Sequence, residues 1–181
     1  MAEQSGKTLS LHGDPIWKGT YTHNGTLLKL HDYCFTTGYA KLVPVNGVKV
    51  EFGSAVWYNA ADKNNTVYAA KPASNAVFAG ILARNPAIAS GYPAANDEVK
   101  DFEKALLAKD GYLVYKEAYK AADDTKTLKF SDIQVGMKMY VRDANGHVTF
   151  AASAPAGHTA VNGTVVMLNP DDQSWTVKLS I

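Results

Sequence analysis

Near its end the chain alternates with a period of two. Trp175, Val177, Leu179 and Ile181 occupy one set of positions, and Thr176, Lys178 and Ser180 occupy the other. That period predicts a strand with one face buried and the other wet. The run 163–168 precedes it across the polar turn 169–173, so the two predict a hairpin. A second hairpin is predicted just upstream, with arms 137–142 and 147–150 around residues 143–146. Its Asn145-Gly146 pair suits a turn with positive φ, which Asn tolerates and Gly adopts without a Cβ clash.

The same alphabet recurs towards the N-terminus. Residues 1–8 are small and polar and read as an arm. Residues 19–22 and 26–30 flank Asn24-Gly25, and residues 40–45 and 48–52 flank Asn46-Gly47, which predicts two more hairpins. Pro44 in an arm of the latter argues for an edge position, because proline donates no ladder hydrogen bond. Residues 55–58 and 112–116 read as short strands, and the small, apolar run 76–83 as a buried strand. Residues 85–96 carry two prolines and read as an extended loop. One helix is predicted, over 97–108. Val99, Phe102 and Leu106 recur there at helical spacing, with Asp97 and Glu98 in the first turn and Gly111 as the stop. The alternative for that stretch is two short extended pieces. About a dozen short strands separated by turn signals make the chain mainly β. The predicted fold is a small β-barrel or β-sandwich built from hairpins, with one short α-helix. A division into 1–70 and 71–181 is expected, with a single domain as the alternative.

Composition narrows the function more than the fold. At 181 residues the chain can bury a core without disulfides or metals. Its net charge of +1 gives no electrostatic case for a nucleic-acid or membrane partner. The single cysteine, Cys34, excludes a disulfide framework and a multi-cysteine metal site. No basic segment followed by an apolar run opens the chain, so a soluble protein made in a reducing compartment is expected.

Candidate chemistry is sparse. His31 and Cys34 are three apart, but the other histidines show no paired spacing that would complete a metal site. As a nucleophile Cys34 would need a base and an orienting carboxylate brought to it by the fold. Asp123-Asp124 and Asp171-Asp172 suit wet turns better than a calcium loop, which needs more ligands at set spacing. No glycine pattern cradles a phosphate. No catalytic residue, cofactor site or metal site is therefore predicted. Tyr21, Tyr33, Tyr39, Trp57, Tyr58 and Tyr68 cluster early in the chain. Such rings most often fill a sheet core. The other reading is an exposed surface for a protein partner or a carbohydrate.

Several segments together resemble a known family. They are Phe78-Ala-Gly-Ile-Leu-Ala-Arg84, Ala89-Ser-Gly-Tyr-Pro-Ala-Ala-Asn96 and Leu107-Ala-Lys-Asp-Gly-Tyr-Leu-Val-Tyr115. Val135-Gly-Met-Lys-Met-Tyr-Val141, Asn145-Gly-His-Val-Thr-Phe150 and Asn169-Pro-Asp-Asp-Gln-Ser-Trp-Thr-Val177 follow in order. Over residues 76–181 the chain resembles the structural cement proteins that decorate tailed-bacteriophage capsids. The resemblance implies a non-enzymatic virion protein, made in the host cytoplasm and carried on the capsid exterior. Its implied partners are the major capsid protein and further copies of itself. Arg84, Asn85, Pro86, Tyr92 and Pro93, in the proline-bearing loop, are the expected contact residues, with Trp57 and Tyr58 beside them. A carbohydrate-binding or host-adhesion module is the alternative.

Overall fold

The computed structural model describes residues 7–9, 15–17, 26–27, 35–61, 65–83, 98–99, 102–103 and 105–180, with side chains from residue 40 onward. In chain order the strands are β1 (Lys7–Leu9), β2 (Pro15–Trp17), β3 (Thr26–Leu27), β4 (Phe35–Val43), β5 (Ala55–Tyr58) and β6 (Thr66–Tyr68). They continue as β7 (Val77–Leu82), β8 (Ala105–Tyr115), β9 (Lys138–Arg142), β10 (Val148–Ala151), β11 (His158–Asn169) and β12 (Ser174–Leu179). A single 3₁₀ turn, Phe130–Asp132, is the only helical piece among the described residues.

β1 and β2 form a two-stranded sheet, and the other ten strands make one mixed sheet, nine of them in the order β10-β9-β11-β12-β8-β4-β6-β5-β7, with β3 joined to β8 off that path. β7 also pairs with β8, through Ile81 opposite Ala108 and Leu82 opposite Leu107. The path therefore bends round on itself, and β8, β4, β6, β5 and β7 form a partial ring rather than a complete barrel. β8 belongs to both halves of this layout. Its first half pairs with β4 and β7, and its second half pairs with β12 and β3.

Two hydrophobic cores result, and three strands feed both. Val56, Ala79, Leu82, Ala105 and Leu107 point into the ring with Leu42 and Val67. Their neighbours Ala55, Trp57, Ile81 and Ala108 point the other way, into a larger core with Leu113, Tyr115, Met139, Phe150, Trp175 and Leu179. A strand buried on both faces has no polar face to alternate with. That is the physical reason 55–58 and 76–83 lack alternation, and the strand expected in 76–83 is β7.

Both C-terminal hairpins form as expected. β9 pairs with β10 around a turn where Gly146 has φ +75°, and β11 pairs with β12 around a turn where Gln173 carries the positive φ of 53°. The turn at Asn46-Gly47 also forms, with Gly47 at φ +75° and Val48 N donating to Val45 O at 3.1 Å. The hairpin expected across it does not. β4 pairs instead with β8 and, in parallel, with β6. The expected hairpin around Asn24-Gly25 falls mostly outside the described residues.

The helix expected over 97–108 is overturned. Among the described residues there, Glu98 bridges Glu51, Val99 N donates to Val50 O at 2.9 Å, and Phe102 O accepts from Leu42 N at 2.6 Å. From Ala105 onward the chain is β8. The apolar spacing that mimics a helix serves two opposed cores, and cross-strand pairing outweighs a weak local preference.

Candidate contact surface and the brace behind it

The polar chemistry gathers around the segment 117–129, which runs beside the β9–β10 hairpin. Tyr119 N donates to Val148 O at 3.0 Å, and Ala118 and Leu128 exchange backbone hydrogen bonds. The Tyr119 ring stacks on His147 at 3.7 Å between centroids and 10° between planes. His147 is 8% exposed, and its Nδ1 lies 2.9 Å from Asp124 Oδ1. Asn145 Nδ2 donates to Asp124 Oδ2 at 2.7 Å, and Arg142 Nη1 stands 3.7 Å from Asp124 Oδ1. Asp124 itself adopts φ 55°, a strained setting for a residue with a Cβ, which its polar partners hold in place.

A second cluster ties this segment to the ring half. Tyr119 Oη donates to Glu51 Oε2 at 3.1 Å, and Lys126 Nζ donates to the same oxygen at 2.6 Å. Lys126 also lies 3.3 Å from Glu117, which accepts from Lys129 Nζ at 2.6 Å. Burial pulls the Glu117 carboxyl up, but Lys129 and Lys126 outweigh it and hold it below the usual carboxylate range. Burial, reinforced by the Glu51 carboxylate, pushes the Tyr119 phenol up. Deeper in, burial alone pushes up the Tyr115 phenol, whose Oη donates to Gly53 O at 2.8 Å.

These groups hold two parts of the chain together. A nucleophile and a base need a reacting atom between them. Here Asp124 faces His147, Asn145 and Arg142, while Glu51 faces Lys126 and Tyr119, so the charges satisfy one another. A further tie runs through Lys71. Its N donates to Asp143 O at 2.8 Å, its Nζ to Thr159 Oγ1 at 3.0 Å, and its ammonium sits 5.1 Å from the Trp57 ring centroid.

Of the expected contact residues, Arg84, Asn85, Pro86, Tyr92 and Pro93 lie outside the described residues, as do His31 and Cys34. Trp57 is a core residue, 1% exposed and edge-on to Phe78 at 5.9 Å. It offers no ring face to a protein or a sugar. Tyr58, one position on, points into the ring half and is half-buried, with Lys109 Nζ 5.6 Å from its ring centroid. Its cross-strand neighbour is Val77, which is 57% exposed. Val135, in the turn before β9, is 61% exposed. The sequence reading missed both valines. Val77 opens an apolar run that is buried only from Ala79 onward, and Val135 sits in a turn between exposed Gln134 and Gly136.

The family model described as "Structural cement protein (E217 gp24/Pam3 gp6)" matches residues 34–181. No curated protein matches the chain. Among solved structures, a chain from "The capsid of Myoviridae Phage XM1" is similar with a TM-score of 0.53 at 15% identity. That alignment covers 86% of this chain and 88% of that one. At this identity the likeness is one of fold.

Proposed function

This chain belongs to the phage structural cement protein family, and on that footing we propose that it binds the outer surface of the major capsid protein and stabilises the head. The carrying observation is the family match, which spans both cores and the brace between them. The chain is a structural protein of the phage capsid. Under the proposal it works without catalysis, on the capsid exterior, after synthesis in the host cytoplasm, and it meets copies of itself on the lattice. The layout suits such work, because a shell under internal pressure loads its clamps and a clamp must not deform. Contacts come from Arg84, Asn85, Pro86, Tyr92 and Pro93, in the connection between β7 and the Glu98 bridge. Exposed Val77 opens β7, the strand that leads into that loop, and half-buried Tyr58 faces it from β5.

The test is reconstitution. Purified protein is mixed with capsids that lack it, and binding is read by co-sedimentation and head stability by the temperature of genome release. Binding with a raised release temperature is the expected result. Absence of binding, or binding that leaves the release temperature unchanged, overturns the proposal.

A further inference from the structure

Past Gly111, β8 turns one face to the larger core through Leu113 and Tyr115. The sequence pattern predicts water on the other face. A cross-strand row there is dry instead. Val114 is 2% exposed, its neighbour Thr176 is 2% and Ser174 is 1%, while Met167, opposite Thr176, is half-buried. Val114 belongs to neither of the two cores. Lys178, two residues along β12 on the same face, is exposed. Water therefore reaches one end of this face and is kept from the other.

The chain itself leads to the dry end. Thr26 of β3 pairs with Val114, and Leu27 pairs with Leu113. Everything before Thr26 thus starts from the margin of the buried row. Upstream lies the β1–β2 hairpin, a two-stranded sheet of its own. Such a hairpin is marginal in water unless it packs against something, and Leu9, Ile16 and Trp17 make its sequence apolar. Residues 18–25 link it to β3 and reach about 27 Å when extended at about 3.4 Å each. Crossing from β8 over β12 to β11 takes about 10 Å at the usual strand spacing.

We propose that the β1–β2 hairpin packs, within its own chain, over the row formed by Val114, Thr176 and Met167, as a third layer on the sheet. The family match begins at residue 34, so the hairpin lies outside the matched residues. It stands independently of capsid binding.

The test uses the full chain with Cys34→Ser. In one arm a nitroxide is attached at Thr8→Cys, and methyl signals are followed by NMR. Selective broadening of Val114, Thr176 and Met167, but not of Val141 and Val148 on the opposite face, is expected. No selective broadening overturns the proposal. So does broadening that survives only between chains, read by mixing spin-labelled and isotope-labelled protein. In the second arm Val114→Cys is reacted with a charged thiol reagent. The rate is expected to rise at least tenfold when Ile16→Asp and Trp17→Asp are added, with the circular dichroism of the sheet unchanged. Equal rates with and without those changes overturn the proposal.

Discussion

Gly146 is where the β9–β10 hairpin meets the ring half, and replacing it with alanine tests how tightly the two are joined. Its carbonyl accepts from Ala55 N at 2.8 Å, and its N donates to Arg142 O at 2.9 Å. A Cβ built there falls 2.3 Å from Ala55 O and 2.6 Å from Ala69 O, both backbone atoms that cannot swing aside. Two costs follow. Holding alanine at φ +75° costs about 1–2 kcal/mol. Forcing a methyl between two main-chain carbonyls adds an overpacking cost of about 1–3 kcal/mol, and any shift that relieves it weakens the Ala55 hydrogen bond by about 1 kcal/mol more. The expected loss for Gly146→Ala is therefore about 3–6 kcal/mol. Gly47 supplies the control, because it has the same φ of 75° and nothing within 4 Å of its Cβ position. Gly47→Ala is expected to cost about 1–2 kcal/mol, the conformational part alone. Both variants are unfolded in urea, and midpoints are compared at matched slope. Equal losses at the two positions would show that the junction at Gly146 is not close-packed, and would refute the account of how the halves join.

Lys126→Met leaves Glu51, whose side chain is 11% exposed, with Tyr119 and the more distant Lys49 as its remaining partners. A loss of about 2 kcal/mol by urea unfolding is expected, and a loss below about 0.5 kcal/mol would contradict the brace. Glu117 sets an acid limb. Its folded carboxyl titrates below the unfolded value, so its contribution is complete above about pH 4.3 and fades as pH falls through the folded value. The group is part-exposed, so that contribution is under about 1 kcal/mol, and Glu117→Gln should flatten this limb of the stability profile. Tyr119 sets an alkaline limb of opposite sign. Its folded phenol titrates above the unfolded value, so stability holds below about pH 10 and falls as pH climbs beyond it. Ultraviolet titration of Tyr119→Phe against the parent should remove one late-titrating phenol. On capsids, Val77→Asp is expected to weaken binding at least tenfold while leaving the urea midpoint within about 0.5 kcal/mol, since the side chain is already largely solvated. Unchanged binding would remove Val77 from the contact surface.

Where one face is dry and turn chemistry is local, the sequence carried the fold. The β9–β10 and β11–β12 hairpins could be read from alternation and from Asn145-Gly146, because both signals act within a few residues. The partial ring could not be read that way. β4 pairs in parallel with β6 and antiparallel with β8, and no local signal distinguishes those neighbours from the hairpin partner that Asn46-Gly47 suggests. The false helix has the same origin, since Val99, Phe102 and Leu106 serve packing partners brought in from residues far away in the chain. Thr176 is a smaller case, polar by pattern yet buried. Trp57 shows why an aromatic cluster is a poor guide to a surface. A strand with two buried faces consumes large rings as readily as a binding patch does. The brace was the least legible part. Asp124, His147, Glu51 and Lys126 lie on three separate segments, and only the fold brings them together.

Because β8 runs through both halves, the described residues offer no seam at which they can be peeled apart. Tension applied at the ring end travels lengthwise along that strand and loads its ladder bonds in shear, many at once, instead of unzipping them in turn. The rate of pulling the two halves open should therefore depend strongly on the direction of the pull.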